Sequence, residues 1–104
     1  IVASSVFADG AAAAIVTAES VSQGKPDPEP YLRAAEQLGV EASDCLVFED
    51  ADAGIRAGVA SGAQVVVIGE APSETADRLG LPRIADYAAL RVEHTDAALI
   101  AHLP

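Results

Sequence analysis

A chain of 104 residues, 51% of them apolar, can bury one modest core and has room for a single small domain or part of one. Sixteen acidic residues against six basic ones give a formal charge of −10. That argues against nucleic acid and anionic membrane surfaces as partners, because phosphate backbones need a basic footprint. The one cysteine, Cys45, excludes an internal disulfide and points to a reducing, cytoplasmic setting, and no apolar run reaches the roughly 18 residues of a membrane span.

Methionine is absent, and the chain opens at Ile1 inside an apolar stretch. It therefore reads as a piece of a longer protein. The first predicted element is a strand over Ala13–Thr17 (AAIVT), buried by composition. A stiff loop, SQGKPDPEPY, follows it and holds Lys25, the only lysine, between Gly24 and Pro26. Pro26 confines the residue before it to extended backbone. Tyr31, Ala34, Ala35 and Leu38 then fall on one helical face. Asp27 is the expected N-cap, Pro28 the N1 residue, Pro30 sits at N3, and Gly39 ends the helix.

Cys45–Glu49 (CLVFE) is a buried strand running into two carboxylates, Glu49 and Asp50. Ala51, Gly54, Ile55, Gly58 and Val59 recur at helical spacing, with Gly62 as the residue after the helix. Gly54 and Gly58 each cost about 1 kcal/mol relative to alanine inside a helix, which is accounted for by close packing on a sheet. Gln64–Ile68 (QVVVI) is a second buried strand. Strand, helix and strand at this spacing make a βαβ unit with parallel strands and a right-handed crossover.

Beyond Gly69 the pattern is weaker. Ser73 caps a short helix to Leu79, Ile84-Ala85 forms a brief edge strand, and Tyr87–Leu90 a helical turn. Residues 91–103 fit either a hairpin or a final helix. His94 and His102 are too far apart to share a metal on a helix face. Cys45 reads as a small apolar filler, and Ser73 has no histidine base near it in sequence.

In open parallel sheets, ligands bind beyond the carboxyl ends of the strands. Glu49 and Asp50 stand at that end of their strand, and Lys25 lies in the loop leaving the same end of the Ala13 strand. One bland reading makes Asp50 a helix cap, Glu49 a solvated acid and Lys25 a surface lysine. The chemical reading puts a hard divalent cation on the carboxylates and a phosphate or carboxylate oxygen on the compact ammonium.

The stretches VTAESVSQGKPDPEPYLRAAEQLGV and CLVFEDADAGIRAGVASGAQVVVI resemble the C-terminal half of the core of haloacid-dehalogenase-like hydrolases, in the β-phosphoglucomutase and sugar-phosphate phosphatase branch. The likeness is strong over about residues 14–69 and weak in the tail. It implies a partial Rossmann-like, three-layer α/β fold with a parallel sheet and flanking helices, and Mg²⁺ as cofactor. It also implies hydrolysis of a small sugar or polyol phosphate through an aspartyl-phosphate in the full-length protein. A mutase of β-phosphoglucomutase type, or an inactive truncated homologue serving as a structural or binding remnant, is the alternative.

By the resemblance, Lys25 would be catalytic and bind substrate, steadying the phosphate and the nucleophilic aspartate. Asp50 would ligate the metal directly and Glu49 through water. Ser4 would match the family's phosphate-binding Ser or Thr, although only about 20 residues separate it from Lys25, fewer than strand, helix and strand usually need.

The family's DxDGT nucleophile motif and its cap domain are not found. Phe7-Ala8-Asp9-Gly10 echoes the motif without its first aspartate, and Asp50-Ala51-Asp52 has the DxD spacing without its context. The expectation is thus one partial domain over 1–104. Its central first strand would be missing, leaving an open flank beside the Cys45 strand and an edge available for self-association.

Overall fold

The computed structural model describes residues 2–7, 11–17, 25–94 and 99–104. Ala8, Asp9 and Gly10 of the faint nucleophile echo, and Thr95-Asp96, lie outside them. In chain order the elements are β1 (Val2–Phe7), β2 (Ala11–Thr17), α1 (Glu29–Leu38), β3 (Cys45–Glu49), α2 (Asp52–Ala60), β4 (Gln64–Ile68), α3 (Glu74–Leu79), β5 (Arg83–Ile84), β6 (Arg91–His94) and β7 (Leu99–His102). A short 3₁₀ turn, Ala42–Asp44, leads into β3.

The strands form one seven-stranded sheet in the order β5-β4-β3-β2-β1-β7-β6. From β2 to β5 the neighbours are parallel, with Thr17 opposite Phe48, Glu49 opposite Val67, and Ile68 opposite Ile84. Their carboxyl ends therefore share one rim, as the βαβ reading requires. β1 returns antiparallel to β2, β7 runs parallel to β1, and β6 closes the sheet antiparallel to β7.

The expected flank beside the Cys45 strand is not open. β3 is paired by β2 on one side and β4 on the other, so its hydrogen-bonding rows are engaged on both edges. The physical reason is that β2 needs a partner for its own backbone groups, and β3 offers it the most buried one. Of the two alternatives for residues 91–103, the hairpin is what the structure shows: Arg91–His94 and Leu99–His102 pair antiparallel as β6 and β7.

Alternation along β3 sorts the core. Val47 faces Tyr31, Ile55, Ala57 and Ala76, one from α1, two from α2 and one from α3. Leu46 and Phe48 face the other way, with Val66, Ile84 and the partly buried Leu90 and Leu103. Of the three layers expected, the sheet and the helical layer on one face are present. Among the described residues the second face is lined by loop and strand side chains, including Tyr87, whose ring meets Phe48 edge-on at 5.7 Å.

Local signals account for most boundaries. α1 begins one residue later than expected, with Pro28 at the N-cap. Asp27 still serves the entry, since its Oδ1 accepts the Glu29 amide at 2.8 Å. Gly39 and Gly80 end α1 and α3 in the left-handed conformation that glycine adopts without a Cβ penalty. The Ser73 hydroxyl accepts the Ala76 amide at 3.0 Å and caps α3 as expected.

Candidate functional site

The site lies at the shared rim of β2 and β3. Period-2 alternation sends Glu49 to the same face as Val47, beneath α1 and α2, and its side chain is fully buried. Asp50, one residue on, is exposed. The two adjacent carboxylates thus go to different environments.

Glu49 is held by three neighbours. The Lys25 ammonium lies 2.8 Å from Glu49 Oε2, and Lys25 is itself only 18% exposed. The Tyr31 hydroxyl, from the first turn of α1, donates to the same oxygen. The third neighbour is Gly54 in the first turn of α2. A Cβ at that position would overlap the Glu49 carboxylate, so the side chain fits only because glycine leaves the space. Gly58, one turn on, has the ordinary packing role expected of both glycines: a Cβ there would stand 2.9 Å from a Val65 methyl.

Glu49 Oε1 is buried without a hydrogen-bond partner. Burial pushes the Glu49 carboxyl above its usual range; the hydrogen bond and charge of Lys25 pull it back, though not fully, and the charge of Asp50 pushes it further up. The positive end of α2, against which the carboxylate lies, favours an anion there.

Asp50 does not cap α2. The N-cap residue is Ala51, which makes no side-chain capping hydrogen bond. The bland reading of Asp50 as a cap is therefore not what the structure shows. Asp52, at the start of α2, is tied sideways instead: Ser73 donates to its Oδ1 at 2.7 Å, and Arg56 approaches its Oδ2 at 3.8 Å. This fixes the start of α2 to the start of α3.

The structure brings Lys25 and Glu49 into contact and sets Asp50 beside them in sequence on the rim. Ser4 is placed elsewhere. In β1, Ala3 is opposite Ala14, and Ala14 is opposite Cys45, the residue at the other end of β3 from Glu49. The strand register thus separates Ser4 from the Lys25–Glu49 pair. Its side chain lies outside the described residues.

Tyr31 and Gly54 were missed as site residues. Helical spacing puts Tyr31 on one face with Ala34 and Ala35, yet a buried tyrosine needs a partner for its hydroxyl. That need, with the alternation of β3, was the available signal.

A Mg²⁺ ion takes several oxygen ligands in near-octahedral geometry. Among the described residues no group of three acidic, histidine or cysteine side chains could hold a metal. Glu49 gives one oxygen to Lys25 and Tyr31, and turns the other against Gly54. Among the described residues the donor set at this rim, one exposed carboxylate and one sealed one, does not by itself fit the ion.

Comparison with known proteins gives the family. The model of the haloacid dehalogenase-like hydrolases matches residues 2–62, more than half of the chain, and the chain belongs to that family. It is 47% identical over 60 residues to hexitol phosphatase A of Escherichia coli (strain K12), covering 58% of this chain and 27% of that protein. Over 57 residues it is 44% identical to β-phosphoglucomutase of Bacillus subtilis (strain 168), covering 55% of this chain and 25% of that one. A crystal structure of a hydrolase of the family from Deinococcus radiodurans R1, with bound phosphate and sodium, superposes with a TM-score of 0.51 at 36% identity, over 62% of this chain and 31% of that one. The chain thus spans about a quarter of the length of the two curated relatives.

Proposed function

We propose that this chain is the phosphate-site half of a longer phosphohydrolase acting on a small sugar or polyol phosphate. The observation that carries the reading is Lys25 itself. The only lysine of an acidic chain is held by a buried carboxylate at the carboxyl ends of two parallel strands, within the stretch matched to the family. A compact cation there can meet a phosphate oxygen where the overall charge of −10 would otherwise repel it.

In this reading an aspartate from another segment attacks phosphorus, the sugar alkoxide leaves and takes a proton, and water then releases phosphate and restores the carboxylate. Lys25 binds the transferring group and keeps the aspartate ionised. Asp50 is the carboxylate this chain would offer to a divalent cation, with the remaining ligands from elsewhere. A cytoplasmic location belongs to the same proposal; among the described residues no helix is long and apolar enough to cross a membrane.

The test uses the longer protein encoded by the same gene, with phosphate release measured from p-nitrophenyl phosphate and from a hexitol phosphate. Turnover lost in Lys25→Ala, and little restored in Lys25→Arg, is expected. Unchanged turnover in Lys25→Ala would return Lys25 to the surface. Transfer to a second hydroxyl of the substrate, without net phosphate release, would make the protein a mutase.

One observation favours a second reading, an inactive remnant. β3 already has a strand on each side, so the sheet is continuous without a further central strand. The sequence upstream in the gene separates the two: a DxDGT motif supports the enzyme, and its absence supports the remnant.

A further inference from the structure

The family resemblance casts Glu49 as a neighbour of the metal, but its surroundings describe another task. It is fully buried, points at the helices, and has one oxygen shared by Lys25 and Tyr31. Its other oxygen, Oε1, has no hydrogen-bond partner and lies buried against Gly54, away from the solvent in which Asp50 stands. We propose that Glu49 is an internal counter-anion that positions Lys25, and that the Tyr31 hydroxyl and the bare Gly54 commit it to that role in place of a divalent cation. This deepens the phosphate-site reading and rests on it, since it states how the phosphate-facing lysine is aimed.

Three features converge on the assignment. Tyr31 brings its hydroxyl from α1 to the same oxygen that Lys25 uses, so ammonium and phenol converge on one acceptor. Gly54 supplies the room that lets the carboxylate lie this deep. Asp50, by contrast, has no such enclosure and stands in solvent. A hydrogen bond to a charged acceptor is stronger than a neutral one, so the hydroxyl adds weight to the inward position. Tyr31, Glu49 and Gly54 are positioning residues; none of them touches the reacting atoms.

The single lysine makes the test clean, because Lys25 alone contributes a side-chain ammonium signal in a ¹⁵N-labelled chain. Held against Glu49, its protons exchange slowly with water. Tyr31→Phe removes only the hydroxyl and should accelerate that exchange by roughly ten- to hundredfold, the weight of one charge-assisted hydrogen bond. Mg²⁺ alone, added to the unsubstituted chain, should leave the exchange rate unchanged. Mg²⁺ that frees the Lys25 protons would show Glu49 turning to the cation and would overturn the proposal. So would a folded Tyr31→Phe chain whose exchange rate equals that of the parent. Should Tyr31→Phe fail to fold, Gly54→Ala, whose Cβ displaces the Glu49 carboxylate, replaces it: faster exchange is expected, and a rate equal to that of the parent would overturn the proposal. Neither arm measures turnover, so failure of the phosphatase reading would be seen separately, as a longer protein that releases no phosphate while Lys25 stays protected.

Discussion

The Lys25 ammonium and the Glu49 carboxylate sit 2.8 Å apart, with the acid fully buried and the lysine close to the surface. The pair is therefore unequal. Lys25→Ala leaves a buried carboxylate with Tyr31 as its main support and should cost about 3 kcal/mol, the usual penalty for orphaning one member of a buried pair. Glu49→Gln leaves an ammonium that can swing to water and should cost about 1 kcal/mol. Urea unfolding of the two variants checks this; equal losses would mean that the pair contributes no more than a surface contact.

Gly54→Ala sets two effects against each other. Alanine gains about 1 kcal/mol of helix propensity, but its Cβ would occupy the place of the Glu49 carboxylate. Overpacking of a core site costs about 1–3 kcal/mol, and displacing a buried charge adds to that, so net destabilisation is expected. Gly58→Ala, whose Cβ would stand 2.9 Å from a Val65 methyl and 3.4 Å from one of Val47 and meets no charge, should be milder. Adding Glu49→Ala to Gly54→Ala should recover stability, and thermal melts of the three chains would show whether it does.

The 104-residue chain alone should not turn over phosphate esters at enzymatic rates. The covalent route needs a nucleophilic aspartate set against phosphorus, and the rim described here offers a lysine and one exposed acid. Incubation with p-nitrophenyl phosphate and Mg²⁺ is the measurement. EDTA-sensitive turnover that disappears in Asp50→Ala would place a nucleophile within this chain.

Cys45 provides a pH-dependent probe. Burial, reinforced by the charge of Asp44, pushes its thiol above the usual range. A raised acid is protonated more readily in the folded chain than in the unfolded one. Stability should therefore be unaffected below the ordinary thiol range, fall as pH rises through it, and level off above the raised value. Denaturation curves across alkaline pH should show the decline in the parent and not in Cys45→Ala. Iodoacetamide should label Cys45 only as the chain opens.

β6 ends the sheet, and its outer side has no strand partner among the described residues. Its exposed Arg91 and Glu93 are charges of the kind that discourage edge pairing. Self-association should be weak, visible by sedimentation only at high concentration, and strengthened by Glu93→Val. A Glu93→Val chain that stays monomeric at every concentration would exclude this edge as a contact.

The middle of the fold was legible because its signals are local and agree. Apolar runs of five residues, a 3.6-residue rhythm and glycines past helix ends leave one arrangement for residues 45–69. What could not be read was which strand would lie beside β3, since strand order depends on pairings remote in sequence. The site was legible as a set of residue types, not as an arrangement. Lys25, Glu49 and Asp50 were found from charge and position, but reading both acids as facing a metal or solvent left out the alternation that turns Glu49 inward and leaves Asp50 in water. Tyr31 and Gly54 stayed hidden behind ordinary readings, core aromatic and helix-packing glycine, because the partner of each belongs to another element. Ser4 was suggested by resemblance alone, and the register of β1 sets it toward the other end of the sheet.

The parallel pairing of β1 with β7, Val6 opposite Leu99 and Phe7 opposite Ile100, joins the two extremities of the chain. Among the described strands the hairpin β6–β7 docks on β1 alone, so its attachment waits for these two segments to meet. Closing so long a loop is slow, whereas the turns and crossovers between β3 and β5 close early. Folding should therefore be sequential, with the rim that carries Glu49 assembled first and the terminal seam zipped last. Shortening the chain at one terminus would release the strands at the other.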